Sequence, residues 1–153
     1  MSEVAETFKN QLARSEWMDE ETRNKAIEKL SAIRYDIAFP HWLLNQTYVD
    51  NYYAELRVTD DYALNQFLSV HQQLRRNLAL LRKDPKEMWS MTPNTVNAYY
   101  DNNHNKFVLP AGILNRPFYY PERGLPLALT YGGLGSVIVH EVSLFFVLYE
   151  GGA

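Results

Sequence analysis

Two adjacent residues near the C-terminal end, His140 and Glu141, form the ionisable pair whose placement points to chemistry. They interrupt Ser136 to Tyr149, a run that is apolar on nearly every side. An uncompensated Glu or His in such surroundings is costly unless a partner or a metal satisfies it. A His-Glu dipeptide is common by chance, so a structural or surface role is the first reading of the pair taken alone. The chemical reading is the first half of His-Glu-x-x-His, in which two histidines at i and i+4 share a helix face and hold zinc while the Glu activates the metal-bound water. Position 144 is Leu, so only half of that motif is present. His41, His71 and His104 stand at no ligand spacing to His140. His71, on the apolar side of a helical pattern, reads as a core histidine with a hydrogen-bond partner. With no cysteine in the chain, a disulfide framework, a Cys-based zinc site and a thiol nucleophile are excluded. Fifteen Lys and Arg against eighteen Asp and Glu give a net charge of −3, which leaves no basic excess for nucleic-acid binding.

The elements that must position the pair follow from periodicity. Val4 to Ser15 reads as an amphipathic helix, and a second starts at Asp19, an N-cap followed by Glu20 and Glu21 where the helix dipole favours anions. Its apolar side is Ala26, Ile27, Leu30 and Ile33. From Arg34 to Leu44 the helical period fails, and alternating Tyr35, Ile37 and Phe39 before Pro40 suggest an extended segment passing beneath the helices. Tyr48 to Leu56 fits a short helix. Asp60 or Asp61 caps the clearest helix, with Leu64, Phe67, Leu68, His71, Leu74, Leu78 and Leu81 on one side, until Lys83-Asp84-Pro85 stops it. Beyond Pro93 the period becomes two. Thr95 to Tyr100, the turn Asp101 to His104, and Asn105 to Leu109 predict a β-hairpin. Gly132-Gly133-Leu134-Gly135 then leads into the apolar helix, and a helix apolar all round is built to be buried. The fold class is mainly α with a short β-hairpin. The longest uninterrupted apolar run, Leu144 to Tyr149, falls far short of the roughly 20 residues a spanning helix needs, so no transmembrane segment is expected.

Several blocks in fixed order give the chain a resemblance to the neprilysin and endothelin-converting-enzyme family of zinc metallopeptidases. They are Trp17-Met18-Asp19-Glu20-Glu21-Thr22, then Val96-Asn97-Ala98-Tyr99-Tyr100, then Phe107 to Leu114 with Pro117-Phe118, and finally Tyr131-Gly132-Gly133-Leu134-Gly135-Ser136-Val137-Ile138-Val139-His140-Glu141. The likeness covers roughly residues 1 to 142. It implies a partial zincin-like architecture, with 1–92 as a helical region preceding the catalytic module and 93–153 as the start of that module, truncated. It also implies roles for residues that match. His140 corresponds to the first zinc ligand and Glu141 to the general base, while Asn97 and Ala98 would lie antiparallel to a bound peptide and hydrogen-bond its backbone.

The departures carry equal information. The likeness ends inside the motif, where Leu144 replaces the second His ligand, and the chain then runs Phe145 to Ala153 without the family pattern. An intact relative hydrolyses small peptides with zinc-activated water. A catalytic zinc site needs three protein ligands and an open position, so this chain is expected to bind zinc weakly and to be catalytically incompetent, a truncated or aberrantly spliced product. A different class of function stands beside that reading, a non-catalytic helical protein-interaction module. A third expectation is a product without function, whose apolar run Leu144 to Tyr149 invites aggregation. The resemblance implies peptide partners and a membrane-anchored or secreted relative. The chain's own N-terminus lacks a secretory signal, and Asn45-Gln46-Thr47 is a permissible glycosylation triplet, one that also arises often by chance.

Overall fold

The computed structural model describes residues 2–82, 88–122 and 124–147. The helix stop at Lys83-Asp84-Pro85 and the end of the apolar run beyond residue 147 lie outside them. The chain divides into two compact units, Met1–Phe39 with Met91–Ala153, and Pro40–Ser90.

In the first unit, α1 (Ser2–Ala13) and α2 (Glu20–Ser31) form where the apolar spacing places them. Asp19 caps α2 by accepting from the Thr22 N–H at 2.7 Å, and Lys25 meets Glu21 one turn away. The Arg23 guanidinium donates to the carbonyls of Ser15 and Met18 and so ties the α1–α2 connection to α2. The segment after α2 is β1 (Arg34–Ala38), a true strand rather than merely an extended pass. It pairs parallel with β3 (Lys106–Pro110), which pairs antiparallel with β2 (Tyr99–Asp101), giving a three-stranded sheet of order β1-β3-β2. The fold is therefore mainly helical with a small mixed sheet, one strand larger than the hairpin.

As the central strand, β3 is buried along its whole length, and Phe107 has no exposed surface. Lys106 is also fully buried, and its ammonium reaches the Asp36 carboxylate of β1 at 3.7 Å, as a buried charge requires. The turn between β2 and β3 is docked onto α2. Asn105, at φ 48°, donates its side-chain amide to the Lys29 carbonyl at 3.0 Å and accepts from the Tyr100 hydroxyl. The same Lys29 carbonyl accepts from the Ala32 N–H at 3.1 Å, so the turn is anchored on an acceptor of the last turn of α2. After a 3₁₀ turn (Ala111–Ile113), the chain reaches α5 (Leu127–Thr130), a π turn (Tyr131–Gly135) and α6 (Ser136–Val147). Leu134, Ile138 and Val142 join Leu12, Leu30, Ile33, Phe107 and Leu109 in one core.

The stretch Leu127–Leu144 is long and apolar enough to cross a membrane by length and composition, with mean hydropathy 1.3. Counting uninterrupted apolar residues misses it, because Thr130, the glycines, Ser136, His140-Glu141 and Ser143 break the run. Part of this stretch is packed in the core through Leu134, Ile138 and Val142.

The second unit holds a 3₁₀ turn (His41–Leu44), α3 (Gln46–Tyr53) and α4 (Tyr62–Leu80). Trp42 stacks on Tyr52 and meets Tyr48 at a tilt, and the Arg76 guanidinium lies 3.6 Å from the Tyr52 ring centre. Asp61 caps α4 by accepting from the Leu64 N–H at 3.1 Å. Asp61→Ala is expected to cost about 1 kcal/mol, read as a roughly fivefold faster hydrogen exchange of the first-turn amides.

The apolar side of α4 is exposed: Phe67 keeps 67% of its surface and Leu64, Leu74 and Leu78 are likewise open. His71 is not a core histidine. It is exposed beside Phe67, their rings nearly parallel at 6.3 Å. Gln72, on another side of α4, is the buried residue, with its amide directed at the Tyr52 carbonyl. Periodicity identifies which side of a helix is apolar, whereas burial needs a second surface.

Candidate active site

Two glycines set the approach of the segments that carry the site residues. Gly112 lies against the backbone before β2: its N–H donates to the Pro93 carbonyl at 2.9 Å, and a Cβ there would stand 2.5 Å from the carbonyl oxygens of Asn94 and Thr95. Gly133 lies as close to Phe118, where a Cβ would meet the carbonyl oxygen at 2.6 Å, and the neighbouring Leu134 N–H donates to that same oxygen at 2.8 Å. The first contact places Asn97 and Ala98, and the second aims α6.

β2 is an edge strand, so every second backbone group points away from β3. On that outer edge the Tyr100 N–H donates to the Glu141 carboxylate at 3.1 Å. Two residues earlier the Ala98 N–H donates to the side-chain oxygen of Asn97 at 2.9 Å. Ala98 is buried and Asn97 exposed. Strand and helix are thereby joined, with Asn97, Ala98 and Glu141 served by one short stretch of backbone. The edge donors at Ala98 and Tyr100 are already occupied, so a peptide laid along this edge meets the Asn97 amide first.

Glu141 is half-buried on α6. Burial raises its carboxyl above the usual range, and the neighbouring His140 and the Tyr100 N–H oppose that shift without cancelling it. A carboxylate held in this way is a better proton acceptor than an exposed one. His140 is exposed and reaches solvent. One turn on, Leu144 offers no donor, and among the described residues no group of three or more His, Cys, Asp or Glu could hold a metal. The donor set among the described residues does not fit a catalytic zinc ion.

Beside this edge, Asp101 accepts from the Asn103 N–H and pairs with the His104 ring at 2.6 Å. Burial acts to raise the Asp101 carboxyl, but the His104 hydrogen bond and charge together with turn N–H groups outweigh it, and the net shift is downward. A depressed carboxyl contributes stability that is present above its unfolded value of 3.8 and lost as pH falls through the folded value. Asp101→Asn is therefore expected to lower stability at neutral pH and to flatten the acid arm below pH 3.8, seen in urea midpoints measured against pH. Tyr100 is pushed up to about 12 by burial and by the Asp101 charge, and it remains a hydroxyl donor throughout that range.

Sequence reasoning missed the Tyr100 N–H as the holder of Glu141 and the two glycines as points of close approach. The signal for Gly112 is a glycine two residues past a strand, where a second backbone can enter. Nothing local signals the contact between Tyr100 and Glu141, 41 positions apart.

Comparison with known proteins bears on both the fold and the edge. Two profiles described as peptidase family M13 match residues 1–40 and 97–150. Neprilysin-3 of Drosophila melanogaster is 40% identical over 148 residues, 95% of this chain and 19% of that protein. Human endothelin-converting enzyme 1 is 39% identical over 146 residues, 94% of this chain and again 19% of the relative. A crystal structure of a Mycobacterium tuberculosis zinc metalloprotease with an inhibitor superposes with a TM-score of 0.78 at 32% identity, covering 91% of this chain and 20% of that one. PepO of Lactobacillus rhamnosis gives 0.75 at 29% identity, over 93% and 22%. The chain thus spans about a fifth of the length of the curated relatives it matches. With both profiles carrying one description, and with sequence and backbone agreeing along nearly its whole length, the chain belongs to peptidase family M13, the family of neprilysin and the endothelin-converting enzymes.

Proposed function

We propose that this chain presents the substrate-strand and general-base portion of a metallopeptidase site and is by itself catalytically incompetent. Asn97 and Ala98 are the peptide-binding edge, Glu141 is the general base, and His140 is the first of the zinc ligands, with the second missing at Leu144. Residues 93–153 then belong to the catalytic module and 1–92 precede it. The observation that carries this reading is the hydrogen bond from the Tyr100 N–H to Glu141, which fixes a proton-accepting carboxylate on the outer edge of β2. The natural setting proposed is extracellular, as the resemblance implies, with small peptides as the substrate class of the intact site.

Two measurements test it. Removing the acceptor with Glu141→Ala is expected to speed hydrogen exchange at the Tyr100 amide roughly tenfold, while Glu141→Gln, which keeps a carbonyl oxygen, leaves it protected. Unchanged exchange in Glu141→Ala contradicts the strand-and-base arrangement. After dialysis, the full chain is expected to hold far less than stoichiometric zinc and to cleave a quenched fluorogenic peptide no faster than Glu141→Gln. Stoichiometric zinc with turnover abolished by Glu141→Gln would overturn the incompetence.

A further inference from the structure

We infer that Asn45 is an acceptor for an N-linked glycan, and that the first sugar rests on the aromatic pair Trp42 and Tyr48. Asn45-Gln46-Thr47 is the only Asn-x-Ser/Thr triplet in the sequence. Asn45 stands at the junction of two helical segments. Its N–H closes the 3₁₀ turn by donating to the Trp42 carbonyl at 3.0 Å, and its side-chain oxygen Oδ1 caps α3 by accepting from the Tyr48 N–H at 3.1 Å. The cap uses Oδ1 alone. Nδ2, the atom a glycan is attached to, makes no hydrogen bond among the described residues, and Asn45 is exposed. A glycan can therefore be carried without the helix giving up its cap.

Capping accounts for Asn45 but not for Thr47. Its hydroxyl makes no hydrogen bond among the described residues, and the residue is exposed. In the triplet, the hydroxyl two residues on is the feature an oligosaccharyl transferase requires. The rings supply the second part of the site. In a 3₁₀ turn residues i and i+3 eclipse, which sets Trp42 on the Asn45 side. Tyr48 lies one turn further into α3, and the two rings meet at 5.2 Å between centres. Around them Leu43 and Leu44 are exposed, the latter at 73%. The apolar face of an N-acetylhexosamine fits that surface, and its polar edge faces water.

The modification is a group transfer from a lipid-diphosphate-linked oligosaccharide. The bond between Nδ2 and the sugar's anomeric carbon forms, and the bond from that carbon to the diphosphate oxygen breaks. One proton leaves Nδ2, the lipid diphosphate departs, and nothing is oxidised or reduced. The proposal rests on the extracellular placement given above, since the donor is met only on a secretory route.

The full chain is translated into microsomes behind a cleavable secretory leader. One upward gel shift is expected, removed by peptide N-glycosidase, retained in Thr47→Ser, and lost in Thr47→Ala and Asn45→Asp. A cleaved leader without a shift overturns the acceptor assignment and leaves the extracellular reading untouched, because the leader is supplied. A clean shift in microsomes with an unmodified chain at the native source overturns the extracellular reading instead. Enzymatic deglycosylation leaves Asp at position 45, which caps a helix as well as Asn does. The glycosylated chain is expected to melt about 2 °C above its deglycosylated form, and equal melting overturns the ring contact.

Discussion

Replacing Gly112 by alanine is expected to cost about 3–5 kcal/mol and to lower the melting temperature by roughly 10 °C. The added Cβ would stand 2.5 Å from two carbonyl oxygens and 2.6 Å from the Asn94 carbonyl carbon. All three are backbone atoms, so no side-chain rotation relieves the overlap. Either the segment leading into β2 retreats, or the 3₁₀ turn after β3 does, and in both cases the Gly112 N–H bond to the Pro93 carbonyl is broken. Net stabilities of about 5–15 kcal/mol make this a large fraction of the total. Gly132→Ala is the matched control. Nothing lies within 4 Å of a Cβ there, and its backbone is helical, so it is expected to be neutral or to stabilise by about 0.5–1 kcal/mol. Thermal unfolding of the two variants decides the matter: equal losses would refute the close approach at Gly112.

Leu144→His is the second large effect. Position 144 follows His140 by one turn of α6, so the substitution puts two imidazoles on one side of the helix. Zinc affinity is expected to rise at least about a hundredfold, because even residues that only orient a ligand are worth about 10–100-fold. At zinc concentrations a hundred times the dissociation constant, the folded state gains about 2.7 kcal/mol. Calorimetric titration and melting with and without zinc report this gain. The control is His140→Ala in the Leu144→His background; if it binds zinc as tightly, the pair is not the site. Peptide hydrolysis is not expected to return, since two histidines remain one ligand short of a catalytic set.

Features written in local sequence were legible. Asp19 and Asp61 cap their helices because a short carboxylate accepts from the third N–H beyond it, a contact contained in four residues. The hairpin was legible because the period becomes two on either side of a polar Asn-rich turn, although the positive φ falls at Asn105, just past the expected turn, and β2 is only Tyr99–Asp101. Pairing at a distance was not. Tyr35 and Ile37 alternate as any strand does, yet nothing in them specifies Phe107 and Leu109 as neighbours. The apolar side of α4 led to a buried His71, because the pattern cannot tell a covered surface from an open one. At the candidate site, Asn97, Ala98, His140 and Glu141 are pointed to by the family likeness alone, and their roles belong to the proposed function. The hydrogen bond that joins strand to helix needs a backbone N–H, which every residue but proline carries and which therefore leaves no mark in a sequence.

The parallel pairing of β1 with β3 has a consequence in time. A chain made from its N-terminus completes Arg34–Ala38 some seventy residues before Lys106–Pro110 exists. At about 5–20 residues per second, β1 waits roughly 4–14 s for its strand partner, with Tyr35 and Ile37 open to other chains. The ion pair between Asp36 and the buried Lys106 closes at the same moment, so this contact of the first unit is made only after the whole of Pro40–Ser90 has been synthesised.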